Sequence, residues 1–329
     1  MNLSQKSISI KVANISLISA LLVACIHYQD YVLDGGAAGL AFWEYFPGPI
    51  LRIAVPFFFT VAGYWLAGHM DEKNWWIKAV ESRVMSLLVP FTILNLVWFL
   101  VMGGGNVGGL VQALGFKRGE YPALPQTWFV LRLFLLVMIS PIIAWIIKQG
   151  KTVALLAFFV VYGCIVGRAM YCSDTINCFW MLKAFKYVIP PVGLAGVTIG
   201  MAFRRYGIPT VEWWIGAIIC GIGFLILFSF KLTWTFYLGM PIFIYGLWNW
   251  MTEKEFPKWL ARNTFAIYIF HYSFLVLFNL VYQKMGVSNL TRFSSVTILT
   301  VIASVILSAL IGLAIRRVRI LRQLILGGR

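Results

Sequence analysis

Residues 21–31 read LLVACIHYQDY, an apolar helical pattern that ends in a histidine, His27, with an aspartate, Asp30, three positions later. The apolar run that this stretch closes begins near residue 12. A helix needs roughly 20 mostly apolar residues to cross the hydrocarbon core of a bilayer. The run 12–29 therefore predicts a membrane span that carries a titratable pair at its end.

The composition of the whole chain also indicates a membrane protein. Aliphatic and aromatic residues make up 61% of the 329 residues, and charged residues make up 12%. A soluble globular protein does not reach this balance. The formal charge of +16 does not indicate nucleic-acid binding, because Lys and Arg separate apolar runs instead of clustering on a soluble face. We predict an all-α integral membrane protein in a lipid bilayer, with no nucleic-acid partner.

Further apolar runs of similar length follow along the chain. We predict a bundle of about ten transmembrane helices that forms a single membrane domain over residues 1–329, without a soluble domain. The predicted spans are 12–29, 50–69, 86–102, 126–147, 152–168, 187–203, 211–229, 232–250, 260–280 and 293–315.

Basic residues in the short loops predict the orientation. Cytosolic loops are enriched in Lys and Arg, and most of these residues fall on one side of the predicted bundle. Both termini are therefore expected to be cytosolic, with His27 near the outer end of span 1 and Arg83 near the cytosolic start of span 3. The residues on the basic side are Lys6, Lys11, Lys73, Lys78, Arg83, Lys148, Lys151, Arg204, Arg205, Lys254, Lys258, Arg262, Arg316, Arg317, Arg319, Arg322 and Arg329.

The cysteines do not indicate a metal site. Their spacing matches no metal-ligand pattern, so no metal is expected. Cys172 and Cys178 flank the polar stretch SDTIN and can form a disulfide if their loop faces an oxidising compartment.

Ionisable residues at membrane depth are candidates for function, because burying a charge there costs a few kcal/mol or more without a partner. His27 and Asp30 share one face of a helix. A carboxylate bonded to one imidazole nitrogen fixes the tautomer and raises the basicity of the other nitrogen, as a general base requires. The alternative is an interfacial pair that only anchors the helix end.

Two arginines near predicted outer ends of spans, Arg52 and Arg132, are candidates to bind an oxyanion or a polar acceptor. Each can instead extend its guanidinium to the lipid headgroups. His271 lies deeper in an apolar run without a neighbouring carboxylate, which favours packing or an interhelical hydrogen bond over catalysis. We interpret the remaining histidine, His69, as interfacial.

A basic and aromatic cluster opens the third span, in the run KNWWIKAVESRVMSLLVPF. Lys78 and Arg83 follow Trp75 and Trp76, an arrangement suited to an anionic headgroup or to the phosphates of a soluble donor. The usual pattern of interfacial aromatic residues and cytosolic cations explains the same residues.

Four signatures in this order resemble the membrane-bound acyltransferase 3 family. They are ISALLVACIHYQDY in span 1, RIAVPFFFTVAGYWL in span 2, SRVMSLLVPF at the start of span 3 and LARNTFAIYIFHYSFL near the end. The segment TWFVLRLFLLVMISP also resembles the family's fourth span. The resemblance extends over nearly the whole chain.

The resemblance implies a multi-pass protein of the cytoplasmic (inner) membrane. It implies transfer of an acyl group, usually acetyl, from cytosolic acyl-CoA to an extracytoplasmic or lipid-linked carbohydrate. His27 matches the essential histidine of the family, and Arg83 matches the first arginine of its Arg-x-x-Arg pattern. The second arginine of that pattern falls at Ser86, which predicts a weaker grip on the donor's phosphates. Acetyl-CoA is the expected donor substrate, with Lys78 beside it.

Two other hypotheses remain open at this point. In a small-solute or lipid-linked-sugar transporter, His27 and Asp30 would form a proton-coupling pair. A family member that has lost its activity would act as an assembly partner, and the serine at position 86 keeps this reading open. Dependence on acyl-CoA separates the enzyme from the transporter.

Overall fold

The computed structural model describes residues 4–32, 48–101, 105, 107–115, 122–171, 190–229, 233–285 and 295–328. Within these ranges the regular structure is helical, and no strand occurs. The predicted disulfide between Cys172 and Cys178 falls outside the described residues.

The helices are α1 Gln5–Val32, α2 Gly48–Leu51, α3 Ala54–Leu66, α4 Trp75–Arg83, α5 Val89–Val101, α6 Val107–Ala113, α7 Trp128–Lys148, α8 Lys151–Tyr171, α9 Pro191–Tyr206, α10 Trp213–Ser229, α11 Thr233–Trp250, α12 Lys258–Ala261, α13 Thr264–Lys284, α14 Ser295–Arg317 and α15 Arg319–Leu326. A π-helical turn, Val84–Leu88, joins α4 to α5. The helices form two compact units. The first contains Leu3–Ala54 and Thr210–Arg317, and the second contains Val55–Pro209 and Val318–Arg329.

A helix overlaps each predicted span. Among the described residues, 5 helical segments are long and apolar enough to cross a membrane, namely Gln5–Tyr28, Trp75–Val101, Pro125–Lys148, Thr264–Lys284 and Ile298–Arg317. The prediction of an α-helical membrane protein is thus supported, while the number of crossings, the cytosolic termini and the single domain stay predictions. The third span differs from its predicted start at residue 86, because its helix begins at Trp75.

The core of the first unit lies between α1, α13 and α14. Its buried residues are Leu17, Ala20, Ala24, Tyr28, Ile267, Leu275, Val301, Val305 and Ala309. Ala20 and Ala24 are four residues apart and fully buried. Small side chains at this spacing let neighbouring helices approach closely, which is how helices associate in a membrane. This packing holds the part of α1 that precedes His27.

Polar residues fasten the other end of α1 to the segment that follows α11. The Asn14 side chain donates to the Lys254 carbonyl at 2.9 Å and accepts from the Phe256 amide at 3.0 Å. Lys11 Nζ donates to the Trp248 carbonyl at 3.3 Å, near the end of α11 where helical carbonyls lack partners. Lys11 lies within α1 and is only 6% exposed, and its position on the cytosolic side stays a prediction.

Glycines bring α10 and α11 into close contact. A Cβ atom at Gly246 would fall on the Cys220 amide nitrogen, and one at Gly223 would fall on the Phe243 amide nitrogen. Such overlaps leave no room for a side chain. The two helices therefore pack backbone against backbone.

Small residues also join α3 and α9 in the second unit. A Cβ atom at Gly200 would fall close to the Thr60 carbonyl oxygen, and one at Gly196 would lie 2.9 Å from Phe59 Cβ. The spacing of Gly196 and Gly200 is a small-xxx-small pattern that here serves packing within the chain.

An ionic network joins three helix ends of this unit. Asp71, shortly after α3, contacts Lys148 Nζ at 3.1 Å and Arg205 Nη1 at 2.5 Å. Lys148 closes α7 and Arg205 lies in the last turn of α9. Lys148 also donates to the Met70 carbonyl at 2.8 Å. Two residues that we placed on one side of the bundle, Lys148 and Arg205, thus lie at one end of this unit.

A proline in α7 creates an attachment point for α4. Pro141 has no amide hydrogen, so the Val137 carbonyl lacks its helical donor. The Trp76 indole N–H donates to this carbonyl at 3.2 Å, and the Ser140 hydroxyl donates to it at 2.7 Å. Satisfying a backbone carbonyl is obligatory in lipid. Trp76 therefore fixes α4 on α7 and is more than an interfacial aromatic residue.

Candidate active site

His27 lies on α1 in the packed core of the first unit. Its neighbour Tyr28 is 1% exposed, and His27 itself is half-buried. Asn14, which marks the end of α1 fastened to residues 252–256, is thirteen residues away, or about 20 Å of helix rise. The packing of Ala24 and Tyr28 fixes the backbone that carries the imidazole.

A second imidazole, that of His271 on α13, lies beside His27. The ring centroids are 5.4 Å apart with an interplanar angle of 36°. Tyr272 approaches His27 edge-on, with centroids 5.5 Å apart. From the sequence we assigned His271 to packing or an interhelical hydrogen bond, and the structure places its ring against that of His27. A histidine deep in an apolar run was the signal for this role.

The hydrogen bonds of His271 define its tautomer. Its Nδ1 lies 2.8 Å from the Ile267 carbonyl oxygen, which only accepts, so Nδ1 carries the hydrogen. In the neutral ring, Nε2 then presents a lone pair. The side chain is 0% exposed, and Nε2 is buried without a hydrogen-bond partner among the described residues. This nitrogen is available to accept a hydrogen bond inside the cluster.

Asp30 lies on the same helix, three residues after His27. Its side chain is outside the described part of the chain. The helical backbone is compatible with the predicted pairing, which stays a prediction.

Arg52 also belongs to the first unit. It follows Leu51, which packs against Leu22, Cys25 and Ile26 on α1. Arg52 lies between α2 and α3, near the start of the predicted span 50–69. Its side chain is exposed. The structure thus places Arg52 beside the turn of α1 that precedes His27.

The second unit contains Lys78, Arg83 and Ser86, the residues predicted to bind the donor. Lys78 is exposed and pairs with Glu72 at 3.6 Å. Arg83 lies about 12 Å along the helix from Trp75, and is half-buried at the junction of α4 and the π-helical turn. Ser86 lies within that turn and is 7% exposed. π-helical turns occur frequently at functional sites.

The sequence explains where the π-helical turn forms. Pro90 cannot donate a hydrogen bond to the helical residue four positions earlier, which is Ser86. The turn that precedes Pro90 widens, and the Val89 amide bonds to the Val84 carbonyl. Irregular helical turns of this kind adjust a helix to a missing donor.

Arg132 lies in the second turn of α7 and is half-buried. A buried polar hub holds the start of this helix. The Asn95 side chain of α5 accepts from the Leu124 amide at 2.8 Å and donates to Thr127 Oγ1 at 3.0 Å. Arg132 thus projects from a helix start that hydrogen bonds fix to α5.

Two imidazoles in contact suit proton transfer at a reacting hydroxyl. No group of three His, Cys, Asp or Glu side chains that could hold a metal ion occurs among the described residues.

Comparison with known proteins gives two matches. The model of a family described as "Acyltransferase domain" matches residues 17–309, which include both histidines of the cluster. The chain is also 24% identical over 314 residues to "Succinoglycan biosynthesis protein ExoH" of Rhizobium meliloti (strain 1021). This alignment covers 86% of the chain and 82% of the relative. No solved structure matches the chain.

Proposed function

Because the chain belongs to the membrane-bound acyltransferase 3 family, we propose that it transfers an acetyl group from cytosolic acetyl-CoA to a hydroxyl of an extracytoplasmic or lipid-linked carbohydrate. The enzyme works in the cytoplasmic (inner) membrane. His27 is the general base, and Asp30 orients it.

Two observations support the class of acceptor and the type of reaction. The family model matches most of the chain and is described as an acyltransferase domain. The relative from Rhizobium meliloti is named for succinoglycan biosynthesis, which favours a glycan as the acceptor. A sugar hydroxyl is a weak nucleophile that needs a base to remove its proton as it attacks.

The reaction conserves atoms and protons through His27. The imidazole takes the proton of the sugar hydroxyl, and the hydroxyl oxygen bonds to the thioester carbonyl carbon. Arg52 or Arg132 stabilises the negative charge on the carbonyl oxygen. When the carbon–sulfur bond breaks, CoA leaves as a thiolate and takes the proton from His27. The products are the O-acetylated sugar and CoA.

The observation that carries the proposal is the contact between His27 and His271. The two rings lie side by side in one unit although 244 positions separate the residues in the chain. Both residues fall within the region that the family model matches. Burying a titratable ring costs free energy, which favours a functional role for these two histidines.

The test is transfer of label from radiolabelled acetyl-CoA into membrane glycans. We expect His27→Ala to abolish transfer at equal abundance of the protein in the membrane, because no group remains to take the hydroxyl proton. His69→Ala is the matched control, since His69 is an exposed histidine paired with Glu72. It is expected to retain full transfer.

Retained transfer in His27→Ala would refute the assignment of the base. Solute uptake that needs His27 but no acyl-CoA would favour the transporter instead. Inactivity of the intact protein with every acyl-CoA and acceptor tried would favour the assembly partner.

A further inference from the structure

The C-terminal helix α15, Arg319–Leu326, lies beyond the residues that match the family model. Its two faces differ. Ile320, Leu321 and Leu324 are exposed, whereas Leu326 is 1% exposed. An exposed apolar face flanked by basic residues is typical of a helix that lies in the membrane interface. The opposite face of α15 therefore turns toward the protein.

The end of α15 packs on the π-helical turn. Gly327 follows the helix with a φ of 61°, in the left-handed region, and a Cβ atom there would fall close to the Ser86 carbonyl oxygen. Only glycine satisfies both the backbone conformation and the close contact.

The junction of these two segments contains buried polar atoms that lack partners. The Ser86 hydroxyl and Arg322 Nε are buried without a hydrogen-bond partner among the described residues. Arg83 is half-buried, and no hydrogen bond or ion pair joins it to another described residue. The acidic residue nearest to Arg83 in the chain, Glu81, is exposed and forms no ion pair with either arginine, and neither 82–101 nor 316–329 contains an aspartate or glutamate. Half-buried cations without a paired counter-charge are costly, so this junction is suited to an anion.

We propose that Arg83, Ser86 and Arg322 form a binding site for a phosphate group. This chain has serine at position 86, so the second cation of the site is Arg322, which α15 supplies. Arginines bind phosphate through paired N–H groups, and a serine hydroxyl adds one donor. The inference rests on the proposed function in that acetyl-CoA is one source of the phosphate. The headgroup of an anionic lipid is the other source.

The positions of the two arginines fit such a site. Arg83 precedes Ser86 by about one helical turn, and Arg322 precedes Gly327 by about 7–8 Å of helix rise. Both residues therefore lie within one or two turns of the contact between Ser86 and Gly327. Arg322 and Leu326 are four residues apart on α15 and share its buried face.

The test measures binding of CoA to the full-length protein in phosphatidylcholine nanodiscs by calorimetry. We expect Arg322→Gln to weaken CoA binding at least about tenfold, because a charge-assisted contact is lost. Arg322→Lys keeps the charge and is expected to restore part of the affinity. Arg319→Gln is the matched control, since it removes the same charge from an exposed position of α15.

A second variant tests the site by displacing α15 from the π-helical turn. Gly327→Val places a Cβ atom against the Ser86 carbonyl, so we expect it to weaken CoA binding as much as Arg322→Gln does. The two changes act by different means at one site.

A parallel series with phosphatidylglycerol in the nanodiscs, measured by native mass spectrometry, separates the two sources of phosphate. A loss of retained lipid in Arg322→Gln, with unchanged CoA affinity, assigns the site to the headgroup. Equal behaviour of Arg322→Gln and Arg319→Gln toward both ligands would overturn the proposal. His27→Ala is expected to bind CoA normally, so a failure of catalysis is distinguishable from a failure of this site.

Discussion

At the scale of single residues, the pair His27 and His271 shows what proximity adds to a sequence pattern. His27 was predictable because it closes the first apolar run near a carboxylate. The role of His271 depends on a contact between α1 and α13 that no local pattern contains. The hydrogen bond from its Nδ1 to Ile267 is likewise a property of the folded helix.

We predict that His271 positions His27. His271→Phe keeps an aromatic ring but removes Nε2, so we expect kcat to fall about 10- to 100-fold because the base is held less accurately. The pH profile of kcat/KM is also expected to shift, since a neighbour of the base has changed. Steady-state kinetics with acetyl-CoA across pH provides the measurement.

Tyr282→Phe is the control on the same helix. It removes the hydrogen bond of 2.7 Å between the Tyr282 hydroxyl and Thr300 Oγ1 and leaves the histidines untouched. An unshifted pH profile in His271→Phe, or an equal shift in Tyr282→Phe, would contradict a positioning role.

At the scale of elements, apolar length predicted a helix for every span, whereas the starts of helices depended on partners. The helix of the third span begins at Trp75, and the Trp76 indole bonds to the Val137 carbonyl, which lacks its helical donor because of Pro141. Hydropathy carries no information about that carbonyl. The role proposed for Arg322 was also not predictable from the sequence, because a cation in a basic tail fits the positive-inside pattern as well.

We predict that the pair α10 and α11 does not tolerate a side chain at Gly246. Gly246→Val would drive its Cβ into the backbone near Cys220, and overpacking of this kind costs at least about 2 kcal/mol. The expected result is a lower melting temperature and loss of the monodisperse peak in size-exclusion chromatography of the solubilised protein.

Gly221 offers the matched control. A Cβ atom at this position of α10 has no heavy atom within 4 Å, so Gly221→Val is expected to leave the melting temperature nearly unchanged. If both variants melted alike, helix propensity rather than close packing would explain the effect.

At the scale of the whole molecule, the fold class and the helical spans follow from composition, since lipid permits few alternatives to helices. The division into two units does not follow from it. The first unit combines Leu3–Ala54 with Thr210–Arg317, and such pairing of distant segments is decided by packing between helices.

We predict that the second unit loses stability in acid. The hydrogen bond from Lys148, together with the charges of Arg205 and Lys148, lowers the pKa of Asp71 below its usual value, although partial desolvation opposes this. The pKa of Asp71 is lower in the folded protein than in the unfolded chain, where it is near 4. Its ionised carboxylate therefore stabilises the folded state fully above about pH 4, and this stabilisation is lost as the pH falls through the folded-state pKa. We therefore expect the melting temperature to fall between about pH 5 and pH 3.

Asp71→Asn separates this effect from general acid unfolding. Its melting temperature is expected to depend less steeply on pH over the same range. The difference should be small because Asp71 is exposed, and it should shrink further at high salt. Identical pH dependence of the two proteins at low salt would exclude a contribution from this network.

The fastening of α1 has a consequence for how the protein is made. α1 is translated before its partner segment, and Asn14 meets the Lys254 carbonyl only after 240 more residues have been translated. At about 5–20 residues per second, this delay lasts roughly 10–50 s. During that time the side chains of Lys11 and Asn14 lack the hydrogen-bond partners that they have in the folded protein. These two side chains of α1 therefore gain their partners only once the end of α11 and the segment that follows it have been made.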